Sequence, residues 1–248
     1  MSADHKAADG SERLAKRVAI QQSCSRADAE RYIEGGWIAV DGQVVEEPGF
    51  RVGPSQTISL LPGARLETLR PVTILVHKPA GVYANDEPGS ARDLIVPANR
   101  MEGDRSPQRY LKRLLAGLRL VTPLERAASG LVVYTQEYPV ARKLQEEARL
   151  VEQEYIAEVS GSLDAEGLAW LRRGLPYDGR PASPMQVSWQ NETRLRFALK
   201  TPAPGFIEYA CDAAGLELRA LRRIRIGRLP LAGLPAGQWR ARLDYERF

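Results

Sequence analysis

From Glu12 onward, Leu14 and Val18 recur at helical spacing with Arg13, Lys16 and Arg17 between them. That spacing predicts a short amphipathic helix with a basic outer face, ending near Gln22. Ser25 followed by Asp28 has capping-box spacing, so a second helix is expected to start at Ser25 and to turn Ala29, Tyr32 and Ile33 inward. Gly35-Gly36 stops it. The period then falls to two: Trp37, Ile38 and Val40 run into Asp41-Gly42, a two-residue hairpin signal, with Val44 and Val45 on the return strand. Another strand is expected over residues 57–61, and Pro62-Gly63 with the polar run to Leu69 marks the end of this unit.

A fully apolar run, Val72 to Val76, opens a second unit and ends in His77-Lys78-Pro79-Ala80-Gly81, where a turn must follow. After a loop rich in Pro, Ser and Arg (residues 87–107), a basic helix is expected over residues 108–116. The segment Leu124-Glu125-Arg126-Ala127-Ala128-Ser129-Gly130 then leads into the apolar strand Leu131 to Thr135. A helix over 138–147, a strand over 154–160, a helix over 165–173 and later strands up to Arg242 complete an α+β chain. Arg219, Arg222, Arg223, Arg225 and Arg228 alternate partly with Leu221, Ile224 and Ile226, as on a strand with one wet basic face.

Composition narrows the class. A chain of 248 residues with 44% hydrophobic content can bury a core, and its length suits two unequal domains. The formal net charge is only +4, but a pI near 9.1 and the local Arg clusters point to a polyanionic partner, with nucleic acid first. Cys24 and Cys211 are too few and too far apart for a disulfide framework or a zinc site, which fits a reducing cytoplasm. Residues 1–10 are polar and predict a disordered tail. No signal peptide or membrane partner is expected.

Residues 12–61 carry two helices, a Cys24-Ser25-Arg26 helix start and a Gly-Trp-Ile-Ala-Val-Asp-Gly hairpin over 36–42. This unit resembles the small RNA-binding domain named after ribosomal small-subunit protein four, and its limits are set at 11–63. Arg13, Lys16, Arg17, Arg26 and Arg31 can converge on one surface from two adjacent helices, a pattern that neutralises phosphates. Ser25 joins them as an expected RNA-binding residue.

Residues 72–243 resemble the catalytic domain of bacterial ribosomal-RNA pseudouridine synthases of the RsuA/RluB/RluE/RluF group, and the limits of this domain are set at 70–248. Lys78-Pro79-x-Gly81 looks like the opening motif, and Leu124 to Leu131 looks like the catalytic Arg-Leu-Asp-x-x-Thr-Ser-Gly-Leu segment. Glu154-Tyr155 resembles the Lys-x-Tyr motif, and Leu221 to Gly227 followed by Gly237 to Arg240 resembles the C-terminal signature. The resemblance implies a mixed, mainly antiparallel sheet with flanking helices. It also implies a carboxylate that attacks an everted uridine, a Tyr stacked on the base, and a basic residue steadying the acid.

The departures from that pattern bear on activity. The expected Asp is Glu125, the preceding Arg of the motif is Pro123, and the Thr before Ser-Gly is Ala128. Where the family carries a run resembling Arg-x-Gln-Ile-Arg-Arg-Met, this chain has residues 205–211, with Glu208 and Tyr209 at two Arg positions. Glu125 is therefore the expected catalytic carboxylate and Tyr155 the base-stacking candidate. Lys78, Arg126, Arg222, Arg223 and Arg225 are expected to contact RNA, and His77 is read as a strand-end residue.

Three readings follow, all without metal or organic cofactor, because base isomerisation needs no redox partner or group carrier. The first is an RNA-binding family member, with ribosomal RNA as partner, whose isomerase activity is weak or absent. The second is an active synthase using Glu125, with Arg126 or Arg222 replacing the missing cation. The third is a non-catalytic ribosome-assembly factor.

Overall fold

The computed structural model describes residues 10–66, 70–107 and 109–248, the side chain of Arg113 excepted. Nearly all of the tail expected over residues 1–10 lies outside them, as does part of the expected boundary before Leu69. The chain forms two compact units. The first comprises the described residues up to Arg70 together with Arg109–Ala116, and the second comprises the remainder.

In the first unit, β1 (Glu12–Arg13) leads into α1 (Leu14–Gln21), followed by α2 (Arg26–Glu34), β2 (Ile38–Val40), β3 (Gln43–Val44), β4 (Arg51–Val52) and β5 (Ile58–Leu60). Leu14, Ala15 and Val18 on α1 bury against Ala29 and Ile33 of α2 and against Ile38 and Val40 of β2. The sheet order is β3-β2-β5, and β1 pairs separately with β4. Asp41 (φ 50°) and Gly42 (φ 82°) both take left-handed backbone, as a tight mirror-image hairpin turn requires. The Asp41 carboxylate accepts from the Thr57 amide at 2.9 Å and the Gln56 side chain at 2.8 Å, bonds that hold its pKa below the usual carboxylate value.

Ser25 caps α2 as the sequence predicts, its hydroxyl accepting from the Asp28 amide at 3.1 Å. Changing Ser25 to Ala should cost about 1 kcal/mol of stability in the first unit, read as a lower denaturation midpoint. A Ser25→Gly change should cost only a few tenths, because a glycine cap leaves the amides open to water.

Residues 109–116 differ from expectation. They belong to the first unit and form a 3-10 turn over Lys112–Leu115 in place of an α-helix. The Arg109 guanidinium lies 3.9 Å from the centre of the Trp37 ring and donates to the carbonyls of Gly35 (3.2 Å) and Gly36 (3.1 Å). Leu111 and Leu114 are buried.

The second unit holds β6 (Thr73–Lys78), β7 (Arg119–Leu120), β8 (Ser129–Thr135), α3 (Tyr138–Gln145), β9 (Glu152–Ser160), α4 (Ala165–Arg172), β10 (Gln186–Asn191), β11 (Arg194–Lys200), α5 (Phe206–Ala213), β12 (Glu217–Ile226), β13 (Leu229–Pro230) and β14 (Trp239–Ala241). Its sheet runs β10-β11-β9-β12-β8-β6-β14, with β13 on β12 and β7 on β8. Pairing is antiparallel except between β12 and β8. The fold is thus the mixed, mainly antiparallel α+β arrangement the resemblance implies. One expectation fails: the Arg-rich strand β12 is central, between β9 and β8, so only some of its Arg residues can be wet.

The β12–β8 pairing sets Arg223 opposite Gly130. Gly130 has φ 121°, and a Cβ there would run into the Arg223 backbone, so the close approach of the two strands requires glycine. Leu75, Val121, Leu131, Val133, Leu144, Ile226 and Leu229 form the core on one side of this sheet. No helix among the described residues is long and apolar enough to cross a membrane.

Candidate active site

Glu125 stands on the loop between β7 and β8. Val121, Thr122, Leu124 and Ala128 anchor that loop in the interior, while Glu125 remains half-buried. Its Oε1 accepts from the backbone amide of Gly205 at 2.9 Å. Gly205 is the N-cap of α5, so the carboxylate meets the positive end of a helix in place of a side-chain cation. The position leaves no room for a side chain. Its φ is 77°, and a Cβ would sit 2.8 Å from the Tyr177 hydroxyl. Among the described residues, no ion pair engages Glu125. The Glu208 and Tyr209 side chains, which the motif comparison set against two Arg positions, are exposed on α5.

Two buried cations stand around this loop, and both correct the sequence reading. Arg223, expected to touch RNA, is 2% exposed. Its Nη2 donates to the Thr122 carbonyl (2.7 Å), Nη1 to the Pro123 carbonyl (2.9 Å) and Gln153 Oε1 (3.2 Å), and Nε to the Leu131 carbonyl (2.7 Å). It faces inward because β12 carries a bulge between Arg223 and Arg225, which lets Leu221, Arg223 and Ile226 share burial. Lys78, also expected to contact RNA, is fully buried. Its ammonium donates to the carbonyls of Pro79 (3.0 Å), Val82 (2.8 Å), Arg126 (3.1 Å) and Ala128 (2.5 Å). Burial and the neighbouring Arg223 pull its pKa down to about 8, against the pull of Glu125, so it is still charged at neutral pH.

Tyr155 lies on β9, 3% exposed, its hydroxyl donating to Gln153 Oε1 at 2.7 Å and 3.5 Å from Arg223 Nη1. Burial raises its pKa, with Arg223 countering the rise and Glu125 adding to it. Gln153 takes the Lys place of the Lys-x-Tyr motif.

The other expected contacts divide. Arg225 pairs with Glu152 and Glu154, each at 2.5 Å. Glu154 is also bonded to Arg196, and these cations hold its carboxyl below the usual range although burial opposes them. Arg222 is exposed, and Arg126 Nε donates to the Gly81 carbonyl at 2.9 Å. His77 is bonded through Nδ1 to the Leu234 carbonyl at 2.8 Å, with burial lowering its pKa.

In the first unit, Arg17 is committed to the carbonyls of Gly53 (2.7 Å) and Pro54 (3.1 Å). Lys16 pairs with Glu12 (3.8 Å), Arg26 with Glu30 (3.1 Å) and Arg31 with Asp28 (3.4 Å), all at the surface where such pairs exchange readily for phosphate. Arg13 is exposed.

The fold is that of a pseudouridylate-synthase-type domain: a mixed, mainly antiparallel sheet whose β7–β8 loop bears Glu125, with Lys78, Tyr155 and Arg223 buried in the same unit. A model of the RNA pseudouridylate synthase family matches residues 72–197, and an S4 domain model matches residues 12–58. The chain belongs to that family, in the group that includes RluB and RluF, and carries an RNA-binding S4 domain ahead of the synthase domain. It is 26% identical over 242 residues to dual-specificity RNA pseudouridine synthase RluF of Escherichia coli strain K12, covering 96% of this chain and 78% of that protein. Ribosomal large subunit pseudouridine synthase B of Bacillus subtilis strain 168 is 27% identical over 241 residues, at 95% and 93% coverage. A crystal structure of a pseudouridylate synthase has the same fold, with TM-score 0.60 at 16% identity over 94% of this chain and 96% of that one.

Proposed function

We propose that this protein binds structured ribosomal RNA and has kept the synthase fold around a carboxylate that isomerises uridine weakly or not at all. The observation that carries this reading is the Glu125 carboxylate, one methylene longer than the family's Asp, bonded to the Gly205 amide and, among the described residues, to no cation. An attacking carboxylate must meet the sugar or base of an everted nucleotide within a narrow range of positions, and an error of about 1 Å can cost around a hundredfold in rate. The RNA half of the proposal is supported by the S4 domain and by the names of the relatives, which act on RNA or the ribosomal large subunit.

The test is to incubate the protein with transcribed ribosomal RNA free of pseudouridine and to map carbodiimide adducts. The expected map shows nothing above that of Glu125→Ala. Adducts that vanish in Glu125→Ala would establish an active synthase, a reading favoured by the buried Lys78 and Arg223, whose charges bond carbonyls of the Glu125 loop. Affinity for ribosomal RNA should fall steeply between low and moderate salt. A flat salt dependence would favour an assembly factor that contacts protein.

A further inference from the structure

We infer that Tyr83 and Arg126 form a stacking platform for an unpaired RNA base next to the nucleotide presented to Glu125. The inference rests on the RNA-binding reading and deepens it by assigning a base contact at the edge of the site. Tyr83 is 52% exposed. The Arg126 guanidinium carbon lies 4.8 Å from the centre of its ring, and Nη1 is 3.4 Å from its hydroxyl.

Both residues are fixed before any ligand arrives. Arg126 Nε donates to the Gly81 carbonyl at 2.9 Å, while the Gly81 amide donates back to the Arg126 carbonyl at 2.8 Å. Lys78 donates to that same Arg126 carbonyl at 3.1 Å. The Tyr83 carbonyl accepts from the Ala91 amide at 2.8 Å, and Tyr83 bridges to Ser90.

An exposed cation–π pair adds little to folding, so the stability of the unit does not account for this ordering. Aromatic rings and guanidinium planes are surfaces on which single-stranded bases stack, and a platform ordered in advance loses less entropy on binding. The location selects the occupant. Arg126 directly follows Glu125 on the loop between β7 and β8, which puts the platform on the same loop as the carboxylate. Arg126 Nε and Nη1 are engaged by the Gly81 carbonyl and the Tyr83 hydroxyl, which breaks up the two-nitrogen edges a fork around a phosphate would use and favours stacking on a base.

The experiment uses the full chain and a stem–loop RNA with a uridine-rich loop, in which 2-aminopurine replaces the base on either side of one uridine. Binding of the parent chain is expected to change the fluorescence of one of the two probes. In Tyr83→Ala that change should be lost and affinity should fall about fivefold or more, as for removal of a base-stacking aromatic, while Tyr83→Phe keeps both. An unaltered thermal transition in Tyr83→Ala shows that folding is not the cause. If the parent binds the RNA and Tyr83→Ala matches it in fluorescence and within about twofold in affinity, the platform is wrong while the RNA-binding reading stands. If the parent does not bind the RNA at all, that reading and this inference fall together.

Discussion

Exchanging Arg223 for Met is expected to lower the melting temperature of the second unit by roughly 6–12 °C, taking about 2–4 °C per kcal/mol for a unit of this size. The reasoning runs through the carbonyls this guanidinium serves. Those of Thr122, Pro123 and Leu131 lose a charged donor in a buried place, and each unmet acceptor costs about 1 kcal/mol or more, giving ~3 kcal/mol in all. Burying a cation has its own desolvation cost, which Met relieves, so the estimate takes the low end for each bond. Arg223→Lys keeps the charge but loses the fork, and should fall between the two. The measurement is calorimetry on the full chain. A Met variant melting with the parent would mean that the carbonyls find other partners and that Arg223 does not hold the Glu125 loop.

Changing Glu125 to Asp is expected to lift pseudouridine formation clear of the Glu125→Ala background at which the parent sits, since correcting a misplacement of about 1 Å can bring about a hundredfold. The shorter side chain cannot stay on the Gly205 amide without the loop moving. It would return the carboxylate to the distance from the backbone that the family's Asp has, with Tyr155, Lys78 and Arg223 unchanged around it. Carbodiimide mapping on the same ribosomal RNA measures the gain. An Asp variant no better than Glu125→Ala would show that the missing cation, and not the added methylene, keeps the site quiet. An Asp variant worse than an active parent would show that the pocket has been rebuilt around Glu.

Much of the fold was legible because its signals are local. The Ser25 cap, the Asp41-Gly42 turn and the apolar run into Lys78 each need only neighbours in sequence to take shape, and each appears where the residue pattern sets it. The site was legible as a set of positions but not as a set of partners. Arg223 reads as surface from sequence because Leu221, Ile224 and Ile226 partly alternate with the Arg residues, as the dry side of a strand does. Their unequal parity was the available hint of the bulge that turns Arg223 inward. Lys78 read as a phosphate contact because nothing in Lys-Pro-x-Gly reveals four carbonyls converging on its ammonium, two of them from the Glu125 loop. The Gly205 amide was invisible for another reason: a backbone donor carries no residue-type signature, and only the glycine ahead of α5 marks its position.

The first unit also has a consequence for how it can be handled. Its Trp37 is covered by Arg109, and Leu111 lies against Gly36, so part of its interior comes from a stretch encoded far downstream. In genetic terms the RNA-gripping module is split, and cutting the gene after residue 66 would leave a piece of it behind. A graft meant to carry the module to another protein must transplant both stretches.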